Sequence, residues 1–227
     1  MNRPDPAPAS PDKSAIRDAA TIIVVRDAAG PTPSVLMGQR GKSAAFMPGK
    51  FVFPGGAVDR GDHDMVLAHP LPAPCDTRIG PMAGAIAAAA IRELWEETGL
   101  ALARPGQWQP AAGWEAFAER GLVPAADGLR FVFRAITPPG RPRRFDARFL
   151  LADASSLAGD VDDFSQASDE LNHLQWVPLA EARSFDLPFI TEVVVAEVAA
   201  RLPSLDAPER VAFFDNSGAV SRFHHID

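Results

Sequence analysis

Apolar residues in this chain fall into short runs separated by turn-forming segments, a pattern typical of β-strands. Residues 20–25 (ATIIVV) are rich in β-branched side chains and predict a buried strand, and residues 34–39 (SVLMGQ) predict a second one after a loop. Further strands are predicted at 51–53, 129–136, 145–151 and 173–177. The chain is therefore expected to contain a β-sheet.

Two segments have the composition of helices. From Pro81 the chain carries a long alanine run with proline near the first turn, and Gly99 is a stop signal at the other end. Residues 181–201 have the apolar density of a helix that packs on a sheet. The proline-punctuated stretch 62–80 predicts a loop, and no linker or repeat divides the chain. One mixed α/β domain is favoured.

Composition narrows the class of protein. The 227 residues are 47% hydrophobic and carry a net charge of −7, which argues against a protein that holds nucleic-acid backbone through a basic surface. A single cysteine, Cys75, excludes a disulfide framework and favours a reducing, cytoplasmic location. No apolar run is long enough to span a membrane. Residues 1–17 lack the apolar stretch of a secretory signal and are predicted to be disordered, which leaves 18–227 as the domain.

Three glutamates crowd the end of the alanine-rich helix. With 3.6 residues per turn, Glu93, Glu96 and Glu97 lie within an arc of about 100°. This position is unfavourable for anions, because the helix dipole is negative there and the spacing puts like charges side by side. A solvated acidic face is the plainer alternative. Oxygen ligands at this spacing suit Mg²⁺ or Mn²⁺, which bind substrate phosphates directly. The five histidines show no metal-ligand spacing.

Residues 92–100 (RELWEETGL) resemble the second half of the Nudix box, R-E-U-x-E-E-x-G-U, where U is aliphatic. Gly56 and Asp62 have the spacing of its first half, G-x5-E, with Asp in place of Glu. Residues 63–91 separate the halves where the box has seven residues, so the chain carries 22 extra residues, with the insertion around 63–80. A family subgroup of coenzyme A hydrolases is interrupted at the same place. Segments 46–56, 137–139, 143–149 and 170–182 are also similar to that subgroup.

The resemblance implies an α/β/α sandwich with a mixed central β-sheet and hydrolysis of a nucleoside diphosphate linked to another group, by attack of water on phosphorus. By motif position, Glu96 and Glu97 are the main ligands of Mg²⁺ or Mn²⁺, and Glu93 is a ligand or the base that deprotonates water. Arg92 would orient a carboxylate through charge-assisted hydrogen bonds. A further catalytic acid is common in the family before the last strand. Glu170 fits that place, although a loop glutamate is otherwise simply solvated.

Other residues are candidates for substrate binding. Gly55 and Gly56 lie in the turn before the helix, where glycine allows close backbone approach. Arg143 and Arg144, beside Asp146, would clamp phosphate with guanidinium geometry, and a basic turn between strands is the alternative. Arg40 is a weaker candidate of the same kind.

Several functions remain open from the sequence. Coenzyme A or acyl-CoA is the leading substrate class, with ADP-ribose, NADH or non-standard nucleotides as alternatives. A nucleotide-sensing module that does not cleave its ligand is the alternative from another class. Serine hydrolases and Walker ATPases are excluded, because neither G-x-S-x-G nor a P-loop occurs. The partner is expected to be a small nucleotide-derived molecule, with neither nucleic-acid polymer nor membrane, and the 181–201 helix offers a face for a homodimer.

Overall fold

The computed structural model describes residues 15–44 and 46–227 and shows a mixed β-sheet with helices on both faces. The strands are β1 (Ile16–Arg26), β2 (Ser34–Arg40), β3 (Phe51–Val52), β4 (Gly55–Ala57), β5 (Ala101–Pro105), β6 (Leu122–Pro124), β7 (Arg130–Ile136), β8 (Arg144–Asp153), β9 (Leu157–Ala158), β10 (Leu171–Pro178), β11 (Val211–Asp215) and β12 (Arg222–Ile226). The helices are α1 (Arg60–His63), α2 (Cys75–Ile79), α3 (Ala83–Thr98), α4 (Glu115–Glu119) and α5 (Phe189–Arg201), with 3₁₀ turns at Gly80–Met82, Ala154–Ser156 and Ala182–Ser184.

The main sheet has nine strands in the described part of the chain. Seven lie in the order β10-β2-β1-β8-β7-β11-β12, and β3 and β4 pair with β2 and β1 respectively. Strands β1 and β8 run parallel, as do β7 and β11, while the other pairs of this sheet are antiparallel. Strands β6, β5 and β9 form a second, small sheet. The predicted mixed sheet is confirmed.

Alternation along β1 divides the interior into two cores. Ala20, Ile22 and Val24 face the core that contains α3, and Ile23 and Val25 face the core that contains α5. Successive strand residues point to opposite faces, so a sheet buried on both sides shows a continuous apolar run. This arrangement is the α/β/α sandwich expected from the sequence.

The alanine run places α3 deep in the molecule. Residues 87–90 are all alanine and fully buried, and four consecutive residues cover more than one turn of the helix. The helix is therefore enclosed on every side at its middle. Small side chains allow this, because neighbouring elements can approach the helix backbone closely.

The insertion after Asp62 is part of the core. Met65, Leu71 and Cys75 are buried in the same cluster as α3, and the carbonyl of His69 accepts a hydrogen bond from the Ala126 backbone N–H at 2.7 Å. The predicted loop over 62–80 is wrong in two places, because α2 lies within it and α1 overlaps its start. The insertion packs its apolar side chains against α3, and this contact stabilises the short helices.

Other boundaries also differ from the sequence expectations. Strand β1 begins at Ile16, so the last residues of the segment predicted to be disordered are ordered, while residues 1–14 lie outside the described residues. The final helix begins at Phe189, because Pro188 separates it from the preceding 3₁₀ turn. Strands β11 and β12 follow it and were not predicted.

None of the helices in the described residues is long and apolar enough to cross a membrane.

Candidate active site

The acidic end of α3 faces β4, a short strand that pairs with residues 19–21 of β1. Strand β2 pairs with β1 only at Val25 and Arg26, so β4 takes the place beside β1 where β2 diverges. The glycines of β4 thereby come against the glutamates of α3. Glu93 and Glu97 are therefore held between the helix and β4.

Glu97 is the most deeply buried of these acids. It is 2% exposed, its Oε2 accepts the Gly55 backbone N–H at 2.8 Å, and its Oε1 has no partner among the described residues. Burial raises the pKa of Glu97 to about 8, although the hydrogen bond from Gly55 opposes the rise. The negative charges of Glu93 and Glu170 raise this pKa further, and the positive charge of Arg40 lowers it. An unpartnered buried carboxylate oxygen is costly, so a cation would stabilise it.

Glu93 packs directly against Gly56. A Cβ at position 56 would lie 2.2 Å from Oε1 of Glu93, so only glycine leaves room for this carboxylate. Burial raises the pKa of Glu93 to about 7, while Arg92 acts in the opposite direction. A carboxyl that titrates near neutrality can act as a base as well as a ligand.

Arg92 joins the acids of the helix to the start of the insertion. Its Nε and Nη2 donate to the two oxygens of Asp62 at 3.0 and 2.9 Å, and Nη2 also donates to the carbonyl of Ala57. Its Nη1 is shared between Glu93 and Glu96, at 2.9 and 3.1 Å. The hydrogen bonds to Asp62 and the surrounding acids raise the pKa of Arg92 against the effect of burial, so the guanidinium stays charged.

The buried Asp62 contacts Arg92 rather than the glutamates. Its side chain is 1% exposed, and its Oδ2 also accepts the Asp59 backbone N–H at 2.8 Å in a capping box at α1. Asp62 takes the place of the glutamate in the first half of the box, and the insertion begins after it. Asp62 orients Arg92, and Arg92 in turn orients Glu93 and Glu96.

Two further acids complete the acidic site. The Glu96 side chain is 50% exposed, and Glu170 lies on the loop before β10. The charge of Glu170 contributes to the raised pKa of both Glu93 and Glu97, so the structure brings it to the same site. In the described chain, no three His, Cys, Asp or Glu side chains already lie at metal-binding spacing. The hydrogen bonds of Arg92 and Gly55 hold the carboxylates in their present directions.

The arginine candidates differ in their surroundings. Arg40 lies at the end of β2 beside this site, and its buried Nε has no partner in residues 15–44 and 46–227. Arg143 is exposed to solvent. Arg144 donates to the carbonyls of Thr137 and Asn216 at 3.0 and 2.9 Å, so its guanidinium fastens the chain at the start of β8.

Asp146 pairs with arginines of the sheet, Arg134 and Arg148, and not with the two arginines just before it in the chain. It accepts two hydrogen bonds from Arg134 on β7 and lies 3.3 Å from Arg148, so neither Arg143 nor Arg144 pairs with it. The period of two along β8 puts Asp146 and Arg148 on one face, and this signal was available in the sequence. Trp95 is partly buried and packs against the core that contains α3.

Comparison with known proteins gives a consistent family. No family model matches the chain. A NUDIX hydrolase from Alicyclobacillus acidocaldarius, solved by crystallography, is 30% identical, and the match covers 82% of this chain and 92% of that one with a TM-score of 0.64. Nudix hydrolase 7 of Caenorhabditis elegans is 31% identical over 178 residues, 72% of this chain, and the chain spans 52% of that relative's length. The NUDIX domain of Shewanella oneidensis NrtR, crystallised with ADP-ribose, shares the fold at 15% identity, with a TM-score of 0.50 over 82% of this chain and 88% of that one.

Proposed function

Because this chain belongs to the Nudix hydrolase family, we propose that it hydrolyses the pyrophosphate bond of a nucleoside diphosphate linked to another group. Water would attack one of the two phosphorus atoms, and the products would be two phosphomonoesters. The proposal is carried by the buried Oε1 of Glu97, which has no partner in the described part of the chain and lies in a group of acids at the end of α3.

The carboxylate oxygens suit a divalent cation, which they would bind after turning away from Arg92 and Gly55. Burial raises the pKa of both Glu93 and Glu97, as expected for carboxylates crowded together without enough positive charge. Glu96 is half-exposed, and an exposed pair with Arg92 is worth only a few tenths of a kcal/mol, so Glu96 can exchange this partner at little cost. Glu93, Glu96 and Glu97 would hold Mg²⁺ or Mn²⁺. Such an ion neutralises phosphate oxygens and lowers the pKa of bound water.

The remaining residues have roles in binding and proton transfer. Glu93 would be a ligand or accept the proton of the attacking water, and its pKa of about 7 suits a base near neutral pH. Glu170 is proposed as the additional acid from outside the box. Arg40 lies at the site, and its Nε has no partner among residues 15–44 and 46–227. Arg40 would bind substrate phosphate, as would Arg143. Gly55 and Gly56 pack against β1 and Glu93, and we propose that their backbone contacts the substrate.

Coenzyme A or an acyl derivative is the proposed substrate, on the basis of the insertion between Asp62 and Arg92. Cleavage would release 3′,5′-ADP and a phosphopantetheine. ADP-ribose is a second candidate, because the NrtR domain binds it on a similar fold. The retained glutamates favour an enzyme over a nucleotide-sensing module, since sensing does not require a metal-activated water. We further propose a single catalytic domain over 18–227, a cytoplasmic location and a homodimer.

A substrate panel tests the function. Coenzyme A, acetyl-CoA, ADP-ribose, NADH and a nucleotide sugar would each be incubated with the protein and Mg²⁺ or Mn²⁺, and products identified by mass spectrometry. In H₂¹⁸O, one product should carry a single label, which identifies the attacked phosphorus. Glu96→Gln and Glu97→Gln should lose nearly all turnover, while Glu115→Gln, at an exposed position of α4, should keep it. Undiminished turnover in both site variants would refute the assigned roles, and tight binding without product over hours would favour the sensing module.

A further inference from the structure

The loop between β9 and β10 closes directly on the C-terminal end of α3. The backbone N–H of Ser168 donates to the carbonyl of Glu96 at 2.9 Å. This carbonyl is one of those that an α-helix leaves without an internal partner at its end. The loop therefore fastens to the same residue whose side chain we assign to the metal.

Gly99 is the residue that lets the loop come so close. Its φ of +76° suits glycine, and its N–H donates to the carbonyl of Trp95 at 2.8 Å, which ends the helix. A Cβ at this position would lie 2.9 Å from Cβ of Gln166 and 3.2 Å from the backbone nitrogen of Ala167. Carbon atoms in contact are separated by about 3.5 to 4.0 Å, so any other residue at position 99 would push the loop away.

The loop is held again just after Glu170. Leu171 is 3% exposed and pairs with Arg40 of β2. A Cβ at Gly38 would lie 2.9 Å from Cβ of Leu171, so this contact also depends on a missing side chain. Glu170 thus lies between two anchored residues. Ser168 is hydrogen-bonded to α3, and Leu171 is paired with β2.

We propose that Gly99 is a positioning residue that holds Glu170 against the acidic site, in addition to ending the helix. The inference rests on the proposed role of Glu170 and extends it to the residues that fix its place. A substitution at Gly99 would move the Glu170 carboxylate, which lies three to four residues along the chain from the points of contact, without touching Glu93, Glu96 or Glu97. If Gly99 served only to end the helix, its substitution would lower stability but leave Glu170 in place.

The experiment compares variants by Mn²⁺ binding, followed through the electron paramagnetic resonance signal of free Mn²⁺, and by kcat. Gly121→Ala is the matched control, because Gly121 also follows a helix with a φ of +65° but its nearest neighbour would be 4.0 Å from a Cβ. We expect Gly99→Ala to weaken Mn²⁺ binding about 10-fold, as disturbance of residues that support metal ligands typically does, and Gly121→Ala to leave it unchanged. The double variant Gly99→Ala/Gln166→Gly removes part of the clash and should recover part of the affinity.

Glu170→Gln separates the two levels of the proposal. If Gly99 acts through Glu170, the loss in Gly99→Ala/Glu170→Gln should be little greater than in Glu170→Gln alone. The positioning role would be overturned if the losses of Mn²⁺ affinity in the two single variants multiplied in the double variant. It would also be overturned if Gly99→Ala bound Mn²⁺ as tightly as Gly121→Ala does. Normal Mn²⁺ binding and kcat in Glu170→Gln would instead refute the role of Glu170 itself and the inference with it. Should Gly99→Ala fail to fold, Gly38→Ala disturbs Leu171 from the other side, and normal Mn²⁺ binding there would overturn the proposal.

Discussion

Glu97→Gln tests whether the site is built to receive a cation. The Glu97 carboxyl is 2% exposed, and burial raises its pKa to about 8 from the ordinary value of 4.5. Because the pKa is higher in the folded chain than in the unfolded chain, the folded state binds this proton more tightly. The stabilising effect of the proton is complete below pH 4.5 and is lost as the pH rises towards 8. The metal-free protein should therefore become less stable across this range.

The size of the effect follows from the pKa. A pKa difference of one unit between the folded and unfolded chain corresponds to about 1.4 kcal/mol of stability. A rise of the Glu97 pKa from 4.5 to about 8 therefore amounts to roughly 5 kcal/mol. Glutamine has no charge at any pH, and its amide oxygen can still accept the Gly55 N–H. At pH 5 the variant should be less stable than the natural chain by about 1 to 3 kcal/mol, because its buried amide N–H groups lack a partner. At pH 8 it should be the more stable of the two.

Urea unfolding followed by far-UV circular dichroism would measure this difference at several pH values, with a chelator present. Glu119→Gln, on the surface of α4, is the control and should follow the natural chain at every pH. Mg²⁺ added at pH 8 should stabilise the natural chain more than Glu97→Gln, since the ion binds the folded site. If the free energies of unfolding of Glu97→Gln and the natural chain change in parallel with pH, the reasoning is wrong.

Four other substitutions test separate parts of the site. Asp62→Asn removes one of the three carboxylates that pair with Arg92 and should cost about 1.5 to 3 kcal/mol in urea unfolding, the range for hydrogen bonds to a charged group; a cost below about 1 kcal/mol would contradict this pairing. Gly56→Ala puts a Cβ 2.2 Å from Oε1 of Glu93, so kcat should fall about 10- to 100-fold with an unchanged circular dichroism spectrum, and a normal kcat would show that the carboxylate can move aside. Arg143→Ala should raise KM at unchanged stability, whereas Arg144→Ala should lower stability by about 1 to 3 kcal/mol at unchanged KM; the opposite pattern would exchange their roles.

The acidic face of α3 could be predicted because it depends only on local geometry. Glu93, Glu96 and Glu97 are neighbours on any helix with 3.6 residues per turn, and Gly99 marks its end through its own backbone preference. The structure has the helix over Ala83–Thr98 with Gly99 in the left-handed conformation. The partners of these acids come from other parts of the chain, so helix geometry alone could not identify them.

Asp62 shows how a distant pairing survives an insertion. It lies 30 residues before Arg92, yet accepts two hydrogen bonds from the Arg92 guanidinium at 3.0 and 2.9 Å. The entropy of closing a loop grows only with the logarithm of its length, so 22 extra residues add less than about 2 kcal/mol. Met65 and Leu71 offset this cost by burial against α3. The sequence pattern alone could not show that the insertion packs inward.

Strands β4, β5, β6, β9, β11 and β12 were not predicted, and the last two illustrate why. Strand β12 (RFHHI) is an edge strand with its first four residues exposed, so it lacks the alternation of a half-buried strand. Strand β11 (VAFFD) is buried at its first three residues because β7 and β12 flank it. These neighbours come from other parts of the chain, so the local pattern does not reveal them. Short strands of this kind are determined by what lies beside them.

The alanine run and the acidic cluster belong to one physical arrangement. Residues 87–90 have side chains small enough for the sheet and the insertion to close around α3, and the same close approach continues at Gly55 and Gly56 beside the glutamates. Water is thereby excluded from the Glu97 carboxylate, and burial becomes the largest cause of its raised pKa. Backbone N–H groups can supply only part of the missing solvation, as Oε1 of Glu97 shows. A divalent cation would supply the rest, so the packing that makes the site costly for folding also makes it selective for the charge that the proposed reaction needs.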